Sequence, residues 1–255
     1  MKVIALTYNY DLNKLADIGR KWAVDVYKNK DFIFEYSAAC YATFVDKNPK
    51  LKLDLYTDDI DLIIKKLWKY KINADQFKFH DIRYSLSSYE DLDYSFRIAF
   101  DHIRDHSSAS DYTIKIDNDM IFLDELPILT IENKDILIWK FERWVQNGNP
   151  LWGEIKAVNN GIGNGIDFPI YNMGLMGLPV EFQYEEAEEI MNKLINVDIS
   201  DVTDVGSKIY HCCEQTAWNY IFYKYGYKII ETYPIVKHHF DVKARCIEDA
   251  KYLLK

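Results

Sequence analysis

The sequence contains few of the residues that mark fibrous, low-complexity or disulfide-stapled proteins. Its 255 residues include only 10 glycines and 6 prolines, which excludes collagen-like and linker-like chains. The four cysteines form no Cys-x-x-Cys pair, so we expect reduced thiols in a cytoplasmic protein. No apolar run reaches 18 residues, and the apolar run at residues 3–6 is too short for a secretory signal. We therefore expect no membrane span.

Charge and glycine spacing exclude further classes. The chain has 31 Lys and Arg against 40 Asp and Glu, and its net charge of −9 argues against general binding to phosphate backbones. No P-loop pattern is present, and the three glycines at residues 159–165 do not join a first strand to a helix. They predict a flexible loop. A chain of this length and composition is sufficient for one α/β domain with its own core.

Strand-like and helix-like segments alternate along the whole chain. This alternation predicts a mostly parallel central sheet with helices on both faces, within a single α/β domain over residues 1–255. Predicted strands cover residues 3–8, 51–55, 77–83, 112–116, 136–141, 171–178 and 228–236. Predicted helices cover residues 11–28, 35–46, 60–68, 91–105, 185–195 and 214–225. Residues 142–169 are irregular, and with Trp144 and Trp152 they predict a lid that becomes ordered when ligand binds.

The most informative motif is Asp117-Asn118-Asp119, which directly follows the apolar strand at residues 112–116. Side chains two residues apart in an extended chain point the same way, about 6.5 Å apart. Two such carboxylates at the carboxyl end of a parallel strand can bind one hard divalent cation, at the sheet edge where α/β folds bind ligands. The alternative is an ordinary polar turn, because Asp and Asn are common turn residues.

Glu214 is the second informative acid. It precedes Ala217, Trp218 and Ile221 by three, four and seven residues, which places it on the apolar face at the start of a helix. A carboxylate there either caps the helix dipole or takes part in catalysis. Burial raises such a pKa and the helix N-terminus lowers it, so we expect Glu214 to stay ionised near neutral pH.

Several short segments, taken in chain order, carry a resemblance to a known family. They are Thr7-Tyr8-Asn9, Tyr56-Thr57-Asp58-Asp59, Asp117-Asn118-Asp119, Tyr171-Asn172-Met173-Gly174, Glu214-Gln215 and His238-His239-Phe240. Together they resemble the GT-A glycosyltransferases, most nearly the glycogenin and galactosyltransferase-like group. The resemblance implies transfer of a sugar from a nucleotide-sugar donor, and it favours a UDP-sugar among such donors. It also implies a nucleotide-binding part over about residues 1–125 and an acceptor- and metal-completing part over about 126–255.

The resemblance further implies a role for individual residues. Glu214 is the implied catalytic group. The implied nucleotide- and donor-binding residues are Thr7, Tyr8, Asn9, Asp58, Arg97, Asp117, Asn118, Asn172, Gly174, Gln215 and Lys243. Arg97 and Lys243 would add positive charge beside the diphosphate, although Arg97 could instead pair with a carboxylate on its own predicted helix.

The implied cofactor is Mn²⁺ or Mg²⁺, bound by Asp117, Asp119 and a late histidine. Two histidines are available, and the adjacent Phe240 favours His239 over His238. Both rings cannot point the same way at the end of a strand.

The acceptor and the function class stay open at the level of sequence. A hydroxyl of a glycan, a protein or a hydroxylated DNA base is compatible with the chain, whose Lys, Asn, Ile and Tyr content suggests an AT-rich, viral genome and a host cytoplasm. The same strand and Asp-x-Asp motif also fit a haloacid-dehalogenase-type phosphatase with Asp117 as nucleophile. A nucleotide-sugar-binding protein without turnover is a further alternative. A nucleotidyltransferase of similar fold is a weaker alternative, because the glycine-rich loop expected of that class is absent from residues 7–15.

Overall fold

The computed structural model describes residues 1–9, 29–82, 112–128, 135–148, 153–199, 201, 213–239 and 242–255. Within these ranges the strands are β1 (Lys2–Thr7), β2 (Leu53–Thr57), β3 (Phe77–Asp81), β4 (Tyr112–Ile116), β5 (Met120–Phe122), β6 (Asp135–Trp144), β7 (Pro169–Pro179), β8 (Lys228–Glu231) and β9 (Val236–His238). The α-helices are α1 (Lys30–Lys47), α2 (Ile60–Leu67), α3 (Glu154–Gly161), α4 (Tyr184–Ile195), α5 (Cys213–Tyr225) and α6 (Ala244–Leu253). The helices predicted over 11–28 and 91–105 lie outside the described residues.

Seven strands form the central sheet in the order β3-β2-β1-β4-β7-β6-β8. Strands β1 to β4 run parallel in three neighbouring pairs, and β6 pairs parallel with β8. Strand β7 is antiparallel to both of its neighbours, β4 and β6. The predicted α/β class with a mostly parallel sheet is therefore confirmed.

Helices cover both faces of this sheet because its strands are apolar on both sides. On one face, Val3 and Leu55 pack with α1, α2 and α6. On the other, Ile4 and Met176 pack with α3, α4 and α5. Near-continuous apolar strands of this kind are typical of sheets that are buried on both faces. The division into parts near residue 125 stays a prediction.

Polar caps set where the first described helices begin. The side chain of Asn29 accepts a hydrogen bond from the backbone of Phe32 at 2.9 Å and starts α1. Asp59 does the same for Leu62 at 3.0 Å and starts α2 directly after β2. Each cap satisfies an amide that the first helical turn leaves without a partner. The second cap fixes the turn that follows β2 at the edge of the sheet.

A small second sheet brings the chain's late residues beside the Asp-x-Asp motif. Strand β5 directly follows this motif and pairs antiparallel with β9, with Met120 opposite His238. The continuous strand predicted over 228–236 is wrong in this respect, because a turn at 233–235 separates β8 from β9. That turn lets β9 leave the central sheet and pair with β5.

The segment predicted to be irregular contains more regular structure than expected. Residues 142–144 continue β6, and α3 occupies Glu154–Gly161, so part of the predicted flexible glycine loop is helical. Ligand-dependent ordering of this segment stays a prediction, and Trp152 lies outside the described residues.

Cys40 and Cys246 are buried free thiols, as expected. In the described part of the chain, no helix combines the length and the apolar character that crossing a bilayer requires.

Candidate active site

The Asp-x-Asp motif lies where β4 leaves the sheet, and the neighbouring elements hold its backbone on both sides. The amide of Asp117 donates to the carbonyl of Gly174 in β7 at 2.6 Å. The carbonyl of Asp119 accepts from the amide of His239 at 2.9 Å. Asp119 is only 4% exposed. The two carboxylates therefore lie at the carboxyl end of β4, as the sequence predicted.

Three possible metal ligands come together at this motif. One ligand atom each from Asp117, Asp119 and His238 lie within 4.8 Å of one another. Nε2 of His238 is 3.0 Å from Oδ1 of Asp119. The ring of His238 also stands edge-on to Trp139, with the ring centroids 5.0 Å apart. The structure therefore places an imidazole beside the two carboxylates.

The histidine in this cluster is His238, whereas the sequence favoured His239. The ring of His239 turns the other way, and its Nε2 lies 3.1 Å from Oδ2 of Asp249 in α6. Burial lowers the pKa of His239, although Asp249 opposes the shift. The physical reason is the pairing of β9 with β5, which directs alternate side chains to opposite sides. Only one of two successive histidines can then face Asp119.

Two lysines neutralise the carboxylates. Lys243 forms a buried ion pair with Asp119, and Lys115 forms a partly exposed ion pair with Asp117. Burial acts to raise the pKa of Asp119, but the opposing charges of His238 and Lys243 hold it well below its usual value. Burial likewise acts to lower the pKa of Lys115, and Asp117 and Glu214 raise it. Each carboxylate of the motif therefore has a lysine partner.

The side chains in this cluster fit a divalent cation. Carboxylate oxygens suit Mg²⁺ and Mn²⁺, and an added imidazole nitrogen suits Mn²⁺. Gly174 leaves room for the ring of His238 beside the two carboxylates, because a Cβ at position 174 would stand 2.8 Å from Cε1 of His238. Asp117, Asp119 and His238 could therefore hold such an ion together.

Glu214 lies in the first turn of α5 and is 9% exposed. Burial raises its pKa to about 7, Lys115 opposes the shift, and Asp117 adds to it. The sequence predicted that Glu214 stays ionised near neutral pH, whereas burial, the largest cause of the shift, brings its pKa into the neutral range. A carboxyl group with this pKa exchanges a proton near neutral pH.

The ends of β1 and β2 meet at the same sheet edge. The amide of Asn9 donates to the carboxylate of Asp58 at 3.1 Å. Burial raises the pKa of Asp58, and its hydrogen bond from Asn9 opposes this. The hydroxyl of Thr7 points into the core, 2.5 Å from that of Tyr41, and Tyr8 is also buried. Asn9 and Asp58 are thus brought together, while Thr7 and Tyr8 serve mainly to pack this edge. Arg97 lies outside the described residues.

Comparison with solved structures identifies the fold. The chain matches the galactosyltransferase LgtC in complex with donor and acceptor sugar analogues, at 12% identity over 100% of this chain and 95% of that one, with a TM-score of 0.52. An active-site mutant of LgtC matches at 12% identity over 99% and 95%, with a TM-score of 0.54. The chain has a GT-A-type glycosyltransferase fold. The resemblance expected from the sequence segments is thereby confirmed at the level of the fold.

A third solved glycosyltransferase structure also matches nearly the whole of this chain. The bifunctional glycosyltransferase WbbM matches at 10% identity over 99% of this chain and 44% of its own length, with a TM-score of 0.50. No family model and no curated protein sequence matches the chain. The shared feature is therefore the fold, at sequence identities too low to carry residue roles by themselves.

In the GT-A fold of this chain, Asn172 and Gln215 face each other across a glutamate that the sequence analysis missed. Nδ2 of Asn172 donates to Glu142 at 2.7 Å, and Nε2 of Gln215 donates to the same carboxylate at 3.1 Å. Oδ1 of Asn172 accepts from the amide of Gly174 at 2.9 Å. Asn118 is buried, and its Nδ2 has no hydrogen-bond partner in the ranges that the structure describes.

Three more charged residues of this region were missed in the sequence. Lys115 lies in β4 two residues before Asp117, and its charge in a buried strand was an available signal. Arg143 and Glu154 form an ion pair of 2.6 Å between β6 and α3. Arg143 and Glu154 form no recognisable sequence motif, because they are 11 residues apart in the chain and meet only through the fold.

The two histidines give a direct test of the ligand assignment. We expect His238→Ala to weaken Mn²⁺ binding by at least about tenfold, since substitutions that merely disturb a ligand's orientation already cost about 10- to 100-fold. His239→Ala is the matched control and should leave Mn²⁺ affinity unchanged, because its ring pairs with Asp249. Titration of the protein with Mn²⁺, followed by electron paramagnetic resonance, measures both. The reverse ranking would restore His239 as the ligand.

Proposed function

We propose that the chain is a metal-dependent glycosyltransferase that moves a sugar from a nucleotide-sugar donor, a UDP-sugar, to a hydroxyl acceptor. The observation that carries the proposal is the cluster of Asp117, Asp119 and His238 at the carboxyl edge of a GT-A-type sheet. The match to LgtC, whose structure holds donor and acceptor sugar analogues, supports a nucleotide-sugar donor. The acceptor class is a hydroxyl of a glycan, a protein or a hydroxylated DNA base.

In this proposal Asp117, Asp119 and His238 hold Mn²⁺ or Mg²⁺. The ion supplies Lewis-acid charge that stabilises the diphosphate leaving group. Lys243 and Lys115 are the protein's own cations at this place, and each is already paired with one carboxylate of the motif. With a metal ion bound at those carboxylates, Lys243 would be available to contact the diphosphate. Arg97 keeps its proposed phosphate role on the basis of the resemblance.

The remaining site residues divide between the two ends of the donor. Asn9 and Asp58 at the ends of β1 and β2 contact the base, with Thr7 and Tyr8 supporting that edge from the core. Asn118, Asn172, Gly174 and Gln215 surround the sugar, and the buried Nδ2 of Asn118 supports a ligand there. Glu214 is the proposed catalytic group, because its carboxyl group lies close enough to Lys115 and Asp117 for both charges to act on it.

The alternatives are weaker on these observations. The phosphatase with Asp117 as nucleophile has no support from the solved structures, which are glycosyltransferases. In addition, Asp117 is paired with Lys115, and its amide is bonded to β7. A binding protein without turnover differs from the proposal only in the absence of transfer, so an assay separates the two.

A donor screen tests the proposal. We expect UDP-sugars together with Mn²⁺ to raise the melting temperature, because a ligand that binds only the folded state stabilises it by mass action. GDP-, CMP- and dTDP-sugars are the matched comparison, each with and without Mn²⁺ or Mg²⁺. Donor hydrolysis or transfer, measured with the donor that gives the largest shift, follows. The proposal fails if no donor changes the melting temperature with either metal, and binding without any turnover supports the non-catalytic alternative.

A further inference from the structure

A carboxylate between two amides stands at the centre of a network that the proposed roles do not use. Oε1 of Glu142 accepts from Asn172, and Oε2 accepts from Gln215. Oε2 also lies 2.9 Å from Nη1 of Arg143. Glu142 lies at an exposed position of β6, and its side chain is 28% exposed. Three donors therefore converge on one carboxylate beside the proposed sugar-binding residues.

These contacts determine which way each amide faces. Amide oxygen and nitrogen are told apart by their partners, and a carboxylate accepts only from the NH₂ group. Asn172 is fixed at both ends, because its Oδ1 accepts from Gly174 while its Nδ2 donates to Glu142. Gln215 is fixed at Nε2 alone, so its Oε1 is directed away from Glu142. Glu142 therefore leaves Oε1 of Gln215 as an available acceptor. Asn172, bonded at both ends, holds Glu142 in place.

A buried anchor holds the network in place. Nη2 of Arg143 lies 2.6 Å from Oε2 of Glu154, whose side chain is 2% exposed. The hydroxyl of Thr216, the residue after Gln215, donates to the other oxygen of Glu154 at 2.7 Å. The chain of contacts thus starts and ends on the first turn of α5. Carboxylates near a helix N-terminus are stabilised by its dipole, which offsets the single net negative charge of the two glutamates and one arginine.

We propose that Glu142 is a positioning residue that sets the orientation of the Gln215 amide, so that Oε1 of Gln215 accepts a hydrogen bond from a hydroxyl of the donor sugar. This inference rests on the proposed function. Glu142 acts through Gln215 and contacts no substrate itself. Arg143 and Glu154 keep Glu142 at the required place between β6 and α5. Glu142→Gln keeps one acceptor oxygen, which suits Asn172 because Gly174 already fixes that amide, and turns an NH₂ group towards Gln215, which favours a flipped Gln215 amide.

The test compares Glu142→Gln with Glu231→Gln. Glu231 is an exposed glutamate that accepts from the amide of Phe141, the neighbour of Glu142, at 2.9 Å, so its substitution removes the same charge nearby and leaves the amides alone. In the ligand-free protein, we expect the side-chain amide resonances of Asn172 and Gln215 to shift in Glu142→Gln and not in Glu231→Gln. With donor and Mn²⁺, we expect transfer to fall by about 10- to 100-fold, as small misplacements do. UDP affinity should stay unchanged.

The background variant Gln215→Ala separates positioning from a general structural effect. If Glu142 acts through Gln215, adding Glu142→Gln to Gln215→Ala should cause little further loss of transfer. An equal loss in both backgrounds, or unshifted amide resonances, would overturn the inference. A wild-type chain that transfers normally together with a fully active Glu142→Gln would also overturn it, without affecting the proposed function. A wild-type chain that neither binds UDP with Mn²⁺ nor transfers sugar fails the proposed function, and with it the sugar contact inferred for Gln215.

Discussion

Replacing Asp119 by Asn should abolish Mn²⁺ binding and the stabilisation by UDP with Mn²⁺. Asp119 supplies one of the three clustered ligand atoms, is almost fully buried, and is held ionised against burial by His238 and Lys243. An amide keeps the size of the side chain but removes the negative charge that a hard cation requires. Transfer should fall to background. Mn²⁺ titration and the melting temperature with UDP measure the effect.

The Asp119→Asn variant should also be less stable than the wild type, and a separate variant controls for this loss. Removing one partner of a buried ion pair typically costs about 3–5 kcal/mol, because the remaining charge is left buried. Asp119→Asn leaves Lys243 in that position. The double variant Asp119→Asn with Lys243→Met removes both charges and should recover much of the lost stability without recovering Mn²⁺ binding. Asp249→Asn is the matched control, since this carboxylate partners His239 outside the cluster. Normal Mn²⁺ affinity in a folded Asp119→Asn variant would contradict the metal assignment.

Replacing Glu214 by Gln should leave UDP and Mn²⁺ affinity intact and reduce transfer by about 10²-fold or more, the usual scale for the loss of one general acid or base. The carboxyl group is buried in the first turn of α5, with a pKa raised to about 7. It can therefore exchange a proton near neutral pH, as an acid–base group must. Steady-state transfer, measured alongside UDP binding, gives the ratio. Glu185→Gln, an exposed acid in the first turn of α4, is the matched control.

Stability should separate a catalytic Glu214 from a simple helix cap. The pKa of Glu214 rises on folding from 4.5 to about 7, so the folded chain binds more protons than the unfolded chain between these values. Its contribution to stability is therefore lost as the pH rises through that window. We expect Glu214→Gln to be more stable than wild type above pH 7 and to lose this advantage near pH 4.5, in melting curves without ligand. A destabilised variant at every pH would indicate a cap, and full transfer activity would remove Glu214 from the mechanism.

The fold and the position of the acidic motif followed from local patterns. Alternating strands and helices predicted the mostly parallel sheet, and the apolar strand before Asp117 predicted that the two carboxylates lie at its carboxyl edge. Both predictions depend on hydrophobic periodicity, which the sequence carries residue by residue. The helical offsets of Glu214 predicted its buried position for the same reason. They did not predict its pKa, which depends on how completely neighbouring elements exclude water.

Tertiary pairing decided the remaining features of the site. The sequence shows that only one of His238 and His239 can face Asp119, but the pairing of Met120 with His238 determines which one. Glu142 was missed because two register shifts interrupt the alternation of β6, and its amide partners lie 30 and 73 residues away. Local periodicity fixes which side of a strand or helix a residue occupies. Which distant side chains meet there depends on strand register and on the packing of α3 and α5, which no short stretch of sequence encodes.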